Sequence, residues 1–163
     1  MYKIKLLISL FLLSTFLFSC SSNKETTLSS NIFSVDYIDG EFDGLQLKNY
    51  LIAYLDSYRM YNSQSKLSIK ANISHSGSIY ITNIDNTSDR NKIISNLNIE
   101  IYDKEMDCLL YKFNKSSTQF YLIGSSKNYL SNNAALAKIK KDNLDYLIKK
   151  FINEVKVTSL SCQ

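Results

Sequence analysis

Cys20 is the residue whose chemistry is most clearly indicated by its surroundings. Two lysines, Lys3 and Lys5, precede an uncharged and mainly apolar run of 13 residues, Leu6–Phe18. The run closes on Leu17-Phe18-Ser19-Cys20, with a small residue directly before the cysteine. This is a lipobox, in which the cysteine is acylated and becomes the mature N-terminus. Residues 1–19 are therefore predicted to be a lipoprotein signal peptide; the alternative is an ordinary signal peptide beside an incidental Cys20.

The apolar run is too short to be a lasting membrane anchor. As a helix it would extend about 20 Å, whereas the hydrocarbon core is roughly 30 Å thick. Acyl chains on Cys20 would anchor the protein instead, since each buried CH2 contributes about 0.8 kcal/mol. Residues 21–31 are polar and lack periodicity, so residues 20–31 are predicted to be a lipidated tether. A serine rather than an aspartate at Ser21 favours sorting to the outer membrane.

The remaining two cysteines, Cys108 and Cys162, are candidates for a disulfide. Once Cys20 is committed to lipid, this pair lies in a compartment that usually permits oxidation. Two independent free thiols explain the same residues equally well at this stage. A bond between them would hold the C-terminal tail beside the start of the last strand.

The sequence contains no constellation of residues suited to catalysis. Its single histidine, His75, lies at the end of a predicted strand, where a histidine is usually structural. No metal-binding spacing, glycine-rich phosphate loop, nucleophile elbow or dinucleotide-binding fingerprint is present. We therefore predict a protein that is not an enzyme and that uses no cofactor and no metal.

Charge and length set further bounds on the mature chain. Removing residues 1–19 removes Lys3 and Lys5 from the 19 basic residues, which leaves 17 against 15 acidic residues over 144 positions, a net charge of +2. This length predicts one domain, residues 32–163. The lysines of the last predicted helix are expected to form a solvated face: Lys138, Lys140, Lys141, Lys149 and Lys150. Nucleic acid is excluded as a partner outside the cytoplasm, whereas anionic lipid headgroups are not.

Hydrophobic periodicity predicts the first two elements of the domain. Alternation over residues 32–38 predicts a strand. Asp43 and Gln46 have the spacing of a capping box, and a helix is predicted over about 44–60. Its apolar stripe recurs at helical spacing and comprises Leu47, Tyr50, Leu51, Tyr54, Leu55 and Tyr58. We interpret these tyrosines as packing residues rather than as a surface for stacking a ligand.

The rest of the chain predicts more strands and a final helix. Residues 66–74 alternate, Ser76-Gly77 allows a turn or bulge, and a short apolar piece follows at 79–84. A long run with Ile93 to Ile101 inward leads through a hairpin loop at 103–105 to a strand at 109–114. Residues 116–127 are polar and break the pattern, and 129–156 form an amphipathic helix. The predicted fold is α+β, in the order β-α-β-β-β-α, with two helices on one face of a four-stranded, mostly antiparallel sheet.

This arrangement resembles the LptE family of lipopolysaccharide-assembly lipoproteins, especially its alphaproteobacterial forms. The resemblance rests on the order and spacing of several weak motifs: Val35–Ile38, Leu45–Leu51, Thr87-Ser88-Asp89-Arg90, Leu97–Asp103, and the spacing of Tyr121, Ser125, Tyr129 and Ala137. It implies an outer-membrane location and a complex with the β-barrel LptD. Inside that barrel the protein would act as a plug, facing the periplasm or the barrel lumen, and would help deliver lipopolysaccharide to the outer leaflet.

Arg90 and Lys92, with Lys138 as a second contact, are the candidate lipopolysaccharide-binding residues. Arg90 and Lys92 bracket a short polar segment at one end of the predicted sheet. A guanidinium also offers a planar fork suited to phosphate oxygens. The alternative is that Arg90 forms an exposed ion pair with Asp89 or Asp85. Two other functions remain open: an accessory lipoprotein of another outer-membrane assembly, and a carrier of a hydrophobic ligand.

Overall fold

The computed structural model describes residues 32–81, 89–122 and 129–162 of the chain. Its four strands form one mixed sheet in the order β1-β2-β3-β4. The strands are β1 (Phe33–Asp39), β2 (Leu67–Ile81), β3 (Asp89–Asp103) and β4 (Cys108–Leu122). β1 pairs with β2 in parallel, and the other neighbours are antiparallel. Cys20, the signal peptide, the tether and most of the polar loop around residues 85–88 lie outside the described residues.

Two helices pack on one face of this sheet, α1 (Glu41–Ser57) and α2 (Tyr129–Val157). The element order β-α-β-β-β-α and the α+β class predicted from the sequence are confirmed. α1 connects the parallel strands β1 and β2, as a crossover between parallel strands requires. Within the described ranges, no helix combines the length and the hydropathy needed to cross a membrane.

The capping box predicted for α1 is wrong. The helix begins at Glu41, and its N-cap is Gly40, which has a φ of 103° and no side-chain cap. Glycine adopts this left-handed conformation without a steric penalty, so the chain turns from β1 into α1 earlier than the sequence pattern predicts. Asp43 therefore lies inside the first turn of α1, where its carboxylate contacts α2 instead of the helix backbone.

The core lies between the helices and the sheet. The α1 leucines Leu47, Leu51 and Leu55 are fully buried, as the stripe predicts, and the rings of Phe113 on β4 and Phe151 on α2 meet edge to face at 5.6 Å. The other fully buried apolar residues are Phe33, Ile69, Leu97, Ile99, Ile101, Leu147, Ile148, Ile152 and Val155. Each such side chain contributes about 1.5 to 3 kcal/mol, so this layer supplies the main driving force for folding.

β2 and β4 both extend further than the sequence pattern predicts. β2 continues through Ser76-Gly77 without a break, because Gly77 remains paired with Ile93 of β3. β4 continues through residues 116–122, of which the first four are polar, and these residues pair with residues 90–96 of β3. At the other end of β4, a register shift at Ile101/Tyr102 turns Leu110 into the core, although the alternation predicts that it points outward.

The extra length of β2, β3 and β4 creates a distal end to the molecule. β1 stops at Asp39, opposite Asn72, so the later residues of β2 extend past it. We call residues 76–81, 89–95 and 117–122 the distal end. α2 runs antiparallel to β4, because Glu154 contacts Tyr111 whereas Asn143 contacts Ser117. The N-terminal half of α2 therefore extends toward the distal end.

Candidate functional site

Arg90 and Lys92 lie on the distal end of β3. Arg90 is exposed and is paired in register with Tyr80 and Leu122, whereas Lys92 is partly buried. Side chains alternate between the two faces of a strand, and the neighbouring Ile93 points into the core. Arg90 and Lys92 therefore share the face of the sheet that is turned away from the helices, which we call the open face.

Lys138 lies in the helical layer, on the other side of the sheet from Arg90 and Lys92. It is exposed on α2, where its ammonium lies 2.6 Å from Asp142 one turn later. An exposed pair of this kind contributes under about 1 kcal/mol, so Lys138 remains available to an anionic ligand. The structure thus brings the three predicted cations toward one end of the molecule but separates Lys138 from the other two by the sheet.

Cys108 and Cys162 are joined in a disulfide, one of the two arrangements that the sequence left open. Their Cα atoms are 5.7 Å apart. The bond holds the C-terminal tail beside the start of β4, and Leu160 of that tail packs against the core. The disulfide therefore lies at the end of β4 away from Arg90 and Lys92.

Sequence reasoning missed a buried polar cluster between α2 and the sheet, formed by His75, Ser95, Ser117 and Asn143. Asn143 donates a hydrogen bond to Ser95 Oγ at 2.9 Å and accepts one from Ser117 Oγ at 2.8 Å. The Nδ1 atom of His75 lies 2.7 Å from Ser95 Oγ. Ser95 and Asn143 are both 0% exposed. Two features of the sequence could have predicted this cluster: Ser95 lies in the inward row of β3, and Asn143 lies within the apolar stripe of α2.

His75 connects this cluster to an ion pair between the helices. It lies well inside β2 rather than at the end of the strand predicted from the sequence. Its Nε2 atom is 4.0 Å from the Asp43 carboxylate, which in turn lies 3.2 Å from Lys140 of α2. Burial lowers the pKa of His75, and the opposing influences of Asp43, which raises it, and Lys140, which lowers it, leave that direction unchanged. The imidazole is therefore neutral near pH 7.

Ser95, His75 and Asp43 are the residue types of a hydrolytic triad, but their geometry does not support that chemistry. Ser95 has no exposed surface, so a substrate cannot reach its hydroxyl. The separation of 4.0 Å between His75 and Asp43 exceeds hydrogen-bond distance. The described parts of the chain also contain no group of three or more histidine, cysteine, aspartate or glutamate residues placed to hold a metal. The cluster thus attaches the helices to the sheet.

A row of tyrosines and lysines lines the outer seam between the two helices. Three lysines of α2 lie over tyrosine rings of α1 and its C-cap. Lys141 lies 5.9 Å from the ring centroid of Tyr50, Lys149 lies 5.6 Å from that of Tyr54, and Lys156 lies 3.5 Å from that of the C-cap residue Tyr58. Tyr50 and Tyr54 are partly buried against the core, as predicted, whereas Tyr58 is 42% exposed. The lysine face of α2 is therefore more than a solvated surface, since it also packs the two helices together.

Together these features define an α+β domain in which two helices cover one face of a four-stranded sheet, with cations at one end. The fold is shared with the solved structure of a minor lipoprotein from Acinetobacter baumannii, with a TM-score of 0.61 and 11% identity over 82% of this chain and 96% of that one. It is also shared with rare lipoprotein B from Shewanella oneidensis, with a TM-score of 0.59 and 10% identity over 78% of this chain and 97% of that one. The likeness is a match to the LptE-like lipoprotein fold. No family model and no curated protein matches the sequence.

Proposed function

We propose that this chain is an outer-membrane lipoprotein of the LptE type, which forms a plug-like complex with the β-barrel LptD and assists lipopolysaccharide assembly. The observation that carries this proposal is the shared fold, which spans at least 78% of this chain and nearly the whole of two solved lipoproteins. The lipobox at Cys20 is an independent observation that agrees with it. Lipid attached to Cys20 anchors the chain, and residues 32–163 act at the membrane.

The role is one of binding rather than catalysis. The serine and histidine of the buried cluster are committed to hydrogen bonds that connect α2 with the sheet. The apolar residues between the helices and the sheet pack against one another with essentially no exposure, so that interior is filled with side chains. This packing favours a plug over the carrier of a hydrophobic ligand, because a carrier requires an interior cavity.

The distal end contacts the anionic phosphates of lipopolysaccharide. Arg90 is exposed on the open face and Lys92 lies on the same face two residues later. Arginine binds phosphate through paired N–H donors, and lysine adds a mobile point charge. Lys138 contacts the ligand from the helical layer, and its ion pair with the exposed Asp142 is replaced by one with a phosphate group.

Identification of the barrel that co-purifies tests the main proposal. A C-terminal affinity tag on the lipidated chain, extracted from outer membrane, is expected to retain LptD through size-exclusion chromatography. Recovery of a different outer-membrane barrel at equal stoichiometry would instead establish the chain as an accessory lipoprotein of that assembly. Recovery of the chain without any barrel would reject the plug function.

Charge reversal tests the lipopolysaccharide site separately. The variant Arg90→Glu/Lys92→Glu is expected to weaken lipopolysaccharide binding at least tenfold and to reduce its salt dependence, because phosphate contacts are lost. The matched control is Arg59→Glu/Lys66→Glu, which changes the net charge equally but alters exposed residues near the opposite end of the molecule. Unchanged affinity in the first variant, or an equal loss in the control, would place the binding site elsewhere.

A further inference from the structure

The open face of the sheet carries two neighbouring rows of polar side chains that cross all four strands. Strand register places Asp39, Asn72, Asn98 and Asn114 in one row. The adjacent row consists of Tyr37, Lys70, Glu100 and Lys112. Neighbouring strands are about 4.8 Å apart, and successive residues on one face are about 6.7 Å apart. The first row therefore presents amide and carboxylate groups, and the second adds a carboxylate, two lysines and a tyrosine.

A surface cavity of about 250 Å³ lies over the part of these rows nearest β1. It is lined by Tyr37, Asp39, Lys70, Ala71, Asn72, Asn98 and Glu100. Tyr37 stands at its rim with 59% of its surface exposed, so one face of an aromatic ring is available to a ligand. Almost all the lining side chains can donate or accept a hydrogen bond, and none is a large aliphatic residue.

Asn98 provides a separate observation that points to a polar ligand. Its Oδ1 atom is buried and has no hydrogen-bond partner, unlike the other buried side-chain oxygens and nitrogens of the described residues. A buried acceptor without a hydrogen-bond partner destabilises the folded state. Asn98 itself lines the cavity, and because the χ2 torsion of asparagine is soft, rotation about it can bring the oxygen to the cavity surface. A ligand hydroxyl would then supply the missing donor.

The charges around the cavity balance one another, so the site is suited to hydroxyl groups rather than to a ligand of one particular charge. Glu100 accepts a hydrogen bond from Lys112 at 2.9 Å and another from the Tyr102 hydroxyl at 2.9 Å. These two bonds lower the pKa of Glu100 and keep its carboxylate ionised. Lys70 lies 4.4 Å from the centroid of the Tyr102 ring, which holds its ammonium beside the same carboxylate. Two acidic residues, Asp39 and Glu100, are thus balanced by two lysines, Lys70 and Lys112.

We propose that this cavity is a saccharide-binding site, which takes one sugar ring of a cell-envelope glycan. Asn72, Asn98 and the two carboxylates pair with ring hydroxyls, because planar side chains can contact adjacent hydroxyl groups with both of their polar atoms. The Tyr37 ring packs against the apolar C–H face of the sugar. The site lies on the open face, away from the proposed phosphate contacts at Arg90, and does not depend on them. If the saccharide proposal is wrong, the proposals of a barrel complex and of a phosphate site at Arg90 are unaffected.

Titration of the lipidated full-length protein tests this site. The protein is held in a detergent without a sugar headgroup, lauryldimethylamine oxide. One probe is the core oligosaccharide released from lipopolysaccharide by mild acid, and the other is the disaccharide repeat of peptidoglycan. Saturable shifts of the side-chain amide resonances of Asn72 and Asn98 in nitrogen-15 spectra are expected with at least one probe. The probe that binds more tightly identifies the source of the glycan.

Variants of the cavity distinguish a binding role from a structural one. Asn98→Ala is expected to weaken binding at least tenfold while the unfolding temperature stays equal or rises, since it removes an unpaired buried acceptor. Asn96→Ala is the matched control, an exposed asparagine on the same face of β3 that does not line the cavity. Tyr37→Ala is expected to weaken binding, whereas Tyr37→Phe, which keeps the ring, retains it. The absence of saturable shifts with both probes, or an equal loss in Asn96→Ala, would overturn the proposal.

Discussion

Asn143 of α2 donates a hydrogen bond to Ser95 of β3, and neither side chain has any exposed surface. The same asparagine accepts from Ser117 of β4, so one side chain connects a helix to two adjacent strands. Asn143→Ala is expected to lower the free energy of unfolding by about 1 to 3 kcal/mol, because it removes the hydrogen bonds to Ser95 and Ser117 and leaves Ser95 with His75 as its remaining partner. Urea denaturation followed by circular dichroism measures the loss. Asn153→Ala, on an exposed position of the same helix, is the control and is expected to change the free energy by less than about 0.5 kcal/mol.

Stability is expected to fall as the pH is lowered from about 7 to 5, because of His75. Its side chain is 6% exposed, and burial holds its pKa below the ordinary value of 6.5. The unfolded chain therefore binds a proton more readily, so the contribution of His75 is complete above the unfolded pKa and is lost as the pH falls below it. The variant His75→Asn, which keeps a polar atom near Ser95, is expected to flatten the dependence of the unfolding temperature on pH in this window. An unchanged slope in that variant would assign the effect to another group.

Glu100 and Asp145 are expected to affect stability at a lower pH than His75 does. Both have a lowered pKa: Glu100 through its hydrogen bonds from Lys112 and Tyr102, and Asp145 because hydrogen bonds from Lys149 and Tyr54 outweigh the effect of burial, which raises it. Their contributions are present above their unfolded values of about 4 and disappear as the pH falls through the lower folded values. A loss of stability between pH 7 and 5 is therefore assigned to His75 rather than to these two carboxylates.

Loss of the disulfide is expected to destabilise the domain without unfolding it. The bond joins residues separated by 54 positions, for which the chain-entropy model gives about 4 kcal/mol. Cys108→Ser/Cys162→Ser is expected to lower the free energy of unfolding by about 2 to 4 kcal/mol. A reducing agent should have the same effect on the wild type and no effect on the double variant. Equal stability of the wild type with and without reductant would show that the bond contributes nothing to folding.

Gly44 is expected to be intolerant of even the smallest side chain. A Cβ atom there would lie 2.6 Å from the backbone oxygen of Asp39, which cannot move without displacing β1. Gly44→Ala is expected to cost about 1 to 3 kcal/mol, although alanine is the better helix former by about 1 kcal/mol. Gly77→Ala is the matched comparison, since its Cβ would meet only the end of the Ile93 side chain at 3.1 Å. Equal unfolding midpoints for Gly44→Ala and the wild type would contradict the close approach of α1 to β1.

The elements that the sequence predicts correctly are those whose apolar residues meet the core. The inward row of β3, from Ile93 to Ile101, is buried throughout, and the leucine stripe of α1 is fully buried. The predicted limits of α2, residues 129–156, differ by one residue from the observed helix, Tyr129–Val157. In each case the side-chain period and the geometry of the element agree over many residues.

The elements predicted incorrectly are those whose stability comes from backbone pairing or from polar side chains. Residues 116–119 of β4 are polar, and Ser117 meets Asn143 rather than an apolar residue, so no apolar alternation marks this part of the strand. The early start of α1 depends on the left-handed Gly40, which no hydrophobic pattern encodes. The rows of polar side chains on the open face could not be predicted from the sequence, because they depend on the register of all four strands.

The disulfide also has a consequence for the maturation of the chain. Three thiols can form one disulfide in three ways, and the fold described above contains the pairing of Cys108 with Cys162. Under the proposed function, lipid joined to the Cys20 sulfur acts as a protecting group, because a thioether cannot take part in a disulfide. Lipid attachment would then prevent mispaired disulfides as well as anchor the chain. For this, Cys20 would have to receive its lipid before Cys108 and Cys162 are oxidised.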